Sequence, residues 1–138
     1  MKYSISILLL FASTIAFAQT SLTVNIEAVE SDEGSIIIAL FTSGDGFPAD
    51  KDKAFRRVRV KASKGPMSHT LTDIPHGSYA LSITHDKNDN DEVDRNWIGM
   101  PKEPVGASNQ KSMGKPSFKR SALTLDSPTQ SIDIHFMN

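Results

Sequence analysis

Five polar residues in the middle of the chain have the spacing of oxygen ligands in a calcium loop. Asp86, Asn88 and Asn90 form an Asp-x-Asn-x-Asn start, with Glu92 at the seventh position and Asp94 at the ninth. A calcium ion takes about six to eight oxygens, and alternate residues of a tight turn can direct side chains to one centre. The pattern therefore predicts calcium held by Asp86, Asn88, Asn90 and Asp94, with the Glu92 carbonyl as a further ligand.

The match to an EF-hand is incomplete. Asp91 stands at the sixth position, where an EF-hand has Gly, and Trp97 stands at the twelfth, where it has a Glu that supplies two oxygens. No helical pattern precedes the loop, so the sequence favours a weak calcium loop on a β-scaffold, which a remote carboxylate such as Glu103 could complete. The alternative is a solvated turn, because Asn and Asp are favoured in turns without any metal.

The segments around this loop have the period of β-strands. Apolar and polar residues alternate over 22–28, 55–62, 79–85 and 132–136, and residues 35–41 form a short apolar run rich in β-branched side chains. We expect 22–28 and 35–41 to pair as a hairpin. With no amphipathic helix in the chain, the pattern predicts an all-β fold, a single antiparallel β-sandwich of about seven strands, immunoglobulin-like or transthyretin-like.

Two further stretches have alternative interpretations. Arg57, Arg59 and Lys61 lie on one face of a predicted strand, either as an anion-binding stripe or as the solvated face of an outer strand.

A long Gly- and Pro-containing loop follows the Tyr79–His85 strand, and it is either functional or held down by a cation. Within it, we expect Trp97 and its apolar neighbours to cover the open end of the sandwich, although they could instead form an exposed platform for sugars.

The N-terminal residues predict export. Lys2 precedes the apolar segment 5–17, and Ala16-Phe17-Ala18 has the small-residue pattern of a cleavage site. Residues 1–18 are therefore interpreted as a signal peptide and residues 19–138 as one mature domain, periplasmic or extracellular. The apolar segment is too short for an ordinary transmembrane span, so no membrane insertion is expected after cleavage.

Composition excludes several classes of function. The chain has no Cys, which rules out disulfides, zinc on thiolates and cysteine nucleophiles. Loss of Lys2 with the signal peptide changes the formal net charge from −1 to −2, a weak charge that does not favour nucleic acid as a partner. We expect the partner to be a protein or a glycan of the cell envelope.

A set of short motifs along the mature chain resembles a known family, the secreted bacterial domain of unknown function 2141. The motifs are Leu40-Phe41, Gly46-Phe47-Pro48, Asp73-Ile74-Pro75-x-Gly77-x-Tyr79-Ala80, His85-Asp86-x-Asn88-x-Asn90, Gly99-Met100-Pro101-Lys102-Glu103 and Pro116-Ser117-Phe118. In that family the residue after the second Asn is usually Gly, whereas this chain has Asp91. The resemblance implies a small exported β-sandwich, and it implies no established activity.

Two classes of function remain. The first is an exported, non-enzymatic binding or accessory module whose loop end, ordered by calcium, contacts the partner. The alternative is a metal-dependent or carboxylate-based hydrolase of the cell envelope that uses His85 with Asp86 or Asp73. The chain lacks the G-x-S-x-G and H-E-x-x-H motifs, so the sequence favours the binding module.

Overall fold

The structure is a computed structural model that describes residues 17–111 and 114–137. Its strands are β1 (Gln19–Val29), β2 (Ser35–Phe41), β3 (Arg56–Lys61), β4 (Gly65–Pro75), β5 (Gly77–Asp86), β6 (Val105–Ala107), β7 (Ala122–Leu125) and β8 (Thr129–Ile134). A 3-10 turn, Lys51–Lys53, and one turn of α-helix, α1 (Phe118–Ser121), lie in the connections. The all-β sandwich predicted from the alternation of apolar residues is confirmed.

The eight described strands form two sheets. The first has the order β4-β1-β8, in which β1 pairs antiparallel with β4 and parallel with β8. The second has the order β3-β2-β5-β6, all antiparallel, and β7 pairs with the first part of β5 beside β6. The edge of β5 that faces away from β2 is thus shared between two short strands, of which β6 lies within the predicted long loop and β7 follows it.

The predicted hairpin of β1 and β2 is wrong, because the two strands lie in different sheets. Their connection crosses from one sheet to the other and passes close to the end of β5. Gly34 adopts a positive φ of 64°, and a Cβ built there would lie 2.0 Å from the Asp86 carbonyl oxygen. Only glycine fits this crossing. Alternation shows which face of a strand is buried, but it does not identify the neighbouring strand.

The core lies between the two sheets. Alternate residues of each strand fill it, including Leu22, Val24 and Ile26 from β1 and Ile36, Ile38 and Leu40 from β2. From β5, Tyr79, Leu81 and Ile83 point inward, as their shared face predicts. The Tyr79 hydroxyl donates to the Pro75 carbonyl at 2.7 Å, which satisfies that group where the chain turns into β5.

The second sheet is also covered on its outer face. Ile37, Ala39 and Phe41 point away from the core, yet they are as buried as the core residues. The Phe41 ring packs edge-on against Phe47 at 5.3 Å, and Phe47 packs in the same manner against Phe118 at 6.2 Å. The connection between β2 and β3 and the connection between β6 and β7 therefore both contribute to a third layer, which explains why β2 has a continuous apolar sequence.

The predicted signal peptide lies, except for Phe17 and Ala18, outside the described residues. In the described ranges, no helix has the length and apolar character needed to cross a bilayer.

Truncation of a core side chain tests the assigned face. Leu81→Ala and Ile134→Ala should each lower the free energy of unfolding by about 2–5 kcal/mol, because both side chains are fully buried between the sheets. Urea unfolding followed by circular dichroism measures this change. The exposed Thr129→Ala in β8 is the control and should change stability by less than about 0.5 kcal/mol. Comparable small effects at all three positions would contradict the assignment.

Candidate functional site

Asp86, the first residue of the predicted calcium loop, is the last residue of β5, and its carboxylate is fully buried on the outer face. One carboxylate oxygen accepts the Asn90 N–H at 3.2 Å, and the other accepts the Asp91 N–H at 2.8 Å. The second oxygen also accepts from Arg59 Nη2 at 3.2 Å. A buried carboxylate requires such partners, and here they come from the loop backbone and from β3, two strands away in the same sheet.

The basic row of β3 supplies cations to residues 86–94, hereafter the polar loop. Arg59 lies beside Asp89 at 2.8 Å and Asp91 at 2.6 Å, and Arg57 also binds Asp91. β3 is an outer strand of its sheet, as one interpretation of the row has it, but its two arginines also form ion pairs with carboxylates of the loop. Lys61, in contrast, is exposed and forms no ion pair within the described ranges. The opposite charges of β3 and the polar loop were the only sign of these ion pairs in the sequence, because the spacing of residues does not show that the two segments are in contact.

These cations keep Asp91 ionised. The hydrogen bond from Arg57 lowers the pKa of the Asp91 carboxyl below its ordinary value of 3.8, and Arg59 and Lys51 act in the same direction against the effect of burial. In turn, the hydrogen bond to Asp91 raises the pKa of Arg59. A carboxyl whose pKa is lowered on folding stabilises the folded state above pH 3.8, and this contribution is lost as the pH falls through the lowered pKa.

The backbone of the polar loop makes a sharp turn although Asp91 stands at the position where an EF-hand has Gly. Asp89 and Asp91, at the fourth and sixth positions, have φ values of 54° and 64°. This left-handed region is normally occupied by Gly, and Asp and Asn tolerate it better than most other residues. Asp91 therefore adopts the turn conformation expected of the family's glycine, and its side chain is held by Arg57 and Arg59.

Three of the predicted ligands converge. The side-chain amides of Asn88 and Asn90 donate to the two oxygens of Asp94 at 2.8 and 3.0 Å. The Asn88 Oδ1 also lies 3.3 Å from the Asn90 N–H that Asp86 binds, so all four side chains share one hydrogen-bond network. Glu92 has an exposed side chain, and its N–H donates to Asn90 Oδ1 at 3.0 Å.

Glu103 joins the two ends of the polar loop, although it follows the loop by nine residues. Its carboxylate is buried and accepts the Lys87 N–H at 3.0 Å and the Asp94 N–H at 3.5 Å. Neither Asp94 nor Glu103 forms an ion pair with any residue of the described ranges. The loop therefore has one side neutralised by arginines, whereas Asp94 and Glu103 contribute two carboxylates that no cation of the described ranges neutralises.

The apolar residues after the loop do not cover the sandwich, so that expectation is wrong. Residues 96–100, hereafter the aromatic turn, expose Trp97 by 96 %, Ile98 by 57 % and Met100 by 49 %. The turn is held from within, since Asn96 Oδ1 accepts the Ile98 N–H at 3.1 Å and the Met100 N–H at 2.9 Å. A second bond joins the Asn96 N–H to the Met100 carbonyl at 2.8 Å. The side chain that stabilises the turn thus leaves its apolar residues facing solvent.

The residues of the hydrolase alternative are not assembled. His85 points into the core, fully buried, and its Nε2 lies 2.8 Å from the Glu33 carbonyl. Its Nδ1 has no hydrogen-bond partner in the described structure, so His85 binds no carboxylate. Asp86 follows it in the strand and faces the opposite side of the sheet, whereas Asp73 is exposed on β4 in the other sheet.

Comparison with known proteins gives one match. A family model described as an uncharacterized protein conserved in bacteria (DUF2141) matches residues 24–133, which is most of the chain. The resemblance drawn from the sequence motifs is thereby confirmed. No match was found among curated proteins or among solved structures.

Removal of the Arg59 guanidinium tests how the polar loop is held. Arg59→Met keeps the apolar stem but leaves the buried Asp86 carboxylate without its cation, so the free energy of unfolding should fall by about 1–3 kcal/mol. Lys61→Met, two residues further along the same face, removes an unpaired charge and should change stability by less than about 0.5 kcal/mol. Urea unfolding of both variants gives the comparison, and equal small effects would show that the ion pair does not hold the loop.

Proposed function

The chain belongs to the uncharacterized bacterial family DUF2141, and we propose that it is an exported binding module without catalytic activity. The aromatic turn is the recognition surface, and the polar loop, with calcium, holds that turn in place. The observation that carries this proposal is the near-complete exposure of Trp97 on a turn with its own internal hydrogen bonds. A large apolar side chain held in water has a cost that a binding partner would remove.

The partner is a protein. Trp and Met are enriched in the buried centres of protein interfaces, and Trp is prominent among the residues that dominate binding energy. The two polar side chains that precede Trp97 in the sequence are already used, because Asn96 binds the turn itself and Arg95 donates to the Gly99 carbonyl at 2.8 Å. Few polar groups therefore remain to bind sugar hydroxyls, and this favours a protein over an envelope glycan.

Calcium binds in the polar loop, where the Asp94 carboxylate lies outside the group of ion pairs that Arg59 forms with Asp86, Asp89 and Asp91. The ligands are the side-chain oxygens of Asp86, Asn88, Asn90 and Asp94 and the carbonyl of Glu92. The residues fit a hard cation, since every donor is an oxygen and the Asp94 carboxylate has no ion-pair partner in the described ranges. A bound cation supplies positive charge there and fixes the chain segment that leads into the aromatic turn.

Export is part of the proposal and rests on the N-terminal pattern of Lys2, the apolar segment 5–17 and Ala16-Phe17-Ala18. Intact-mass measurement of protein from the native host should give Gln19 as the first residue. Mature protein that retains Met1 would contradict it.

Calcium should raise the melting temperature of the mature protein. With no Glu at the twelfth loop position, the dissociation constant should be on the order of 10⁻⁴–10⁻³ M. At ten times that concentration, binding stabilises the fold by roughly 1.4 kcal/mol, and magnesium should have a smaller effect. Differential scanning calorimetry measures the shift.

The calcium experiment includes one test variant and one control variant. Asp94→Ala removes a ligand that is not buried beneath the loop, and it should abolish the rise in melting temperature. Asp45→Ala lies in another loop, where Asp45 pairs with Lys53, and it should preserve the rise. If millimolar calcium leaves the melting temperature of the wild type unchanged, the loop is a solvated turn.

Photo-crosslinking tests the recognition surface. The variant Trp97→p-benzoylphenylalanine should crosslink to an envelope protein. Excess wild-type protein should suppress this crosslinked product, whereas excess Trp97→Ala protein should not. Phe55, another exposed aromatic residue, is the matched control and should give no competed product. Co-sedimentation with purified peptidoglycan runs in parallel. Trp97-dependent binding to that glycan alone would overturn the protein partner.

A further inference from the structure

The third layer does not fill the space over the second sheet, and a cleft of about 1080 Å³ remains there. Ser82 and Thr84, on the outer face of β5, belong to its lining. Such a volume is slightly larger than the usual range of pockets for small molecules, about 300–1,000 Å³. The cleft is separate from the exposed ring of Trp97, although Met100 of the aromatic turn contributes to its wall.

The lining of the cleft is mainly apolar. Its walls include Phe47, Pro48, Val93, Met100, Pro104 and Val105. Thr84, whose hydroxyl forms no hydrogen bond with another described residue, adds a polar atom to this lining. Apolar walls exclude a strongly hydrated ligand from the interior and favour a hydrocarbon body.

The carboxylates around the cleft are already engaged. Glu30 pairs with Lys87 at 2.7 Å, and the buried Glu103 carboxylate accepts two backbone N–H groups of the polar loop. Asp50 accepts the Asp52 N–H at 3.2 Å and so caps the 3-10 turn. None of the three is available to bind a ligand cation without losing one of these contacts.

The free charges around the cleft are positive. Lys102 and Lys115 both line it, are exposed, and form no ion pair in the described part of the chain. An ammonium at the edge of an apolar cleft attracts an anionic group that remains partly hydrated while the rest of the molecule is buried. Charge and polarity together define the ligand as an apolar body with one negative head.

We propose that this cleft binds an amphipathic anion, with a hydrocarbon chain against the apolar walls and a negatively charged head between Lys102 and Lys115. A free fatty acid and the acyl chain of an anionic lipid share this chemistry. Binding at this site requires neither calcium nor Trp97, so the result of its test does not depend on whether the proposed recognition surface is correct.

Isothermal titration with dodecanoate below its micelle concentration, in the presence of EDTA, tests the proposal. The mature protein should bind dodecanoate with a stoichiometry of one. Dodecanol, which lacks the charge, and acetate, which lacks the chain, should each bind at least tenfold more weakly. Vesicles of phosphatidylglycerol form a second arm, because binding to vesicles without binding to free dodecanoate would overturn a ligand that enters the cleft from solution.

Variants locate the ligand. The double variant Lys102→Glu and Lys115→Glu should weaken dodecanoate binding at least tenfold, while Lys61→Glu, an exposed lysine of β3 outside the cleft, should not. Ala49→Trp places a large ring in the cleft wall and should abolish binding with the circular dichroism spectrum unchanged. Undiminished binding in both cleft variants, or no binding by the wild type, would overturn the proposal. A concentration-dependent dimer that excludes dodecanoate would assign the cleft to a second copy of the chain.

Discussion

The burial of the Asp86 carboxylate is the constraint on which the arrangement of the loops depends. A buried carboxylate without partners costs several kcal/mol, so the chain around Asp86 must supply donors. Arg59 provides the cation from the neighbouring part of the sheet, and the N–H groups of Asn90 and Asp91 provide the rest. β5 therefore cannot end in solvent, because the hydrogen bonds that Asp86 accepts hold the next five residues against the sheet.

This fold-back has a consequence for the whole second sheet. Once the polar loop lies against β3, the chain that follows it continues across the outer face, and Pro104 accepts the His85 N–H at 2.9 Å. The connection before β3 covers the same face from the other side through Phe47. Two irregular segments thus bury an apolar face that a two-layer sandwich would expose to water. Irregular segments pack less regularly than a sheet, and the cleft lies between them and β5.

Much of the fold followed from the sequence, because alternation of apolar residues reports burial directly. The strands around Leu22, Leu81 and Ile134 and the inward face of each were predicted correctly. Pairing was not predictable in the same way, since β1 and β2 are adjacent in the chain but lie in different sheets. Register and partner depend on contacts between distant segments, and a period of two carries no information about them.

The candidate site was predictable only in part, for a related reason. The spacing of Asn88, Asn90 and Asp94 identified side chains that do converge. The roles of Arg59 and Glu103 depend on ion pairs and hydrogen bonds that span 27 and 16 residues. Trp97 was misassigned because an apolar residue in a loop is usually buried, and nothing in its local sequence shows that Asn96 stabilises the turn in an exposed position.

The polar loop and the aromatic turn belong to one continuous segment, and that segment forms part of the wall of the cleft. Val93 and Met100 line the cleft while belonging to the polar loop and the aromatic turn, and Glu103 ties the loop closed from the same wall. A ligand that orders this wall therefore also orders the base of the aromatic turn, and a partner bound to the turn restricts the wall in return. Coupling of binding free energies is reciprocal, so any effect of one ligand on the affinity for the other must appear equally in both directions. The extent of that coupling depends on how firmly Arg59 already holds the segment to the sheet. If the segment is fully ordered before either ligand binds, the first ligand cannot reduce the conformational entropy that the second ligand loses on binding.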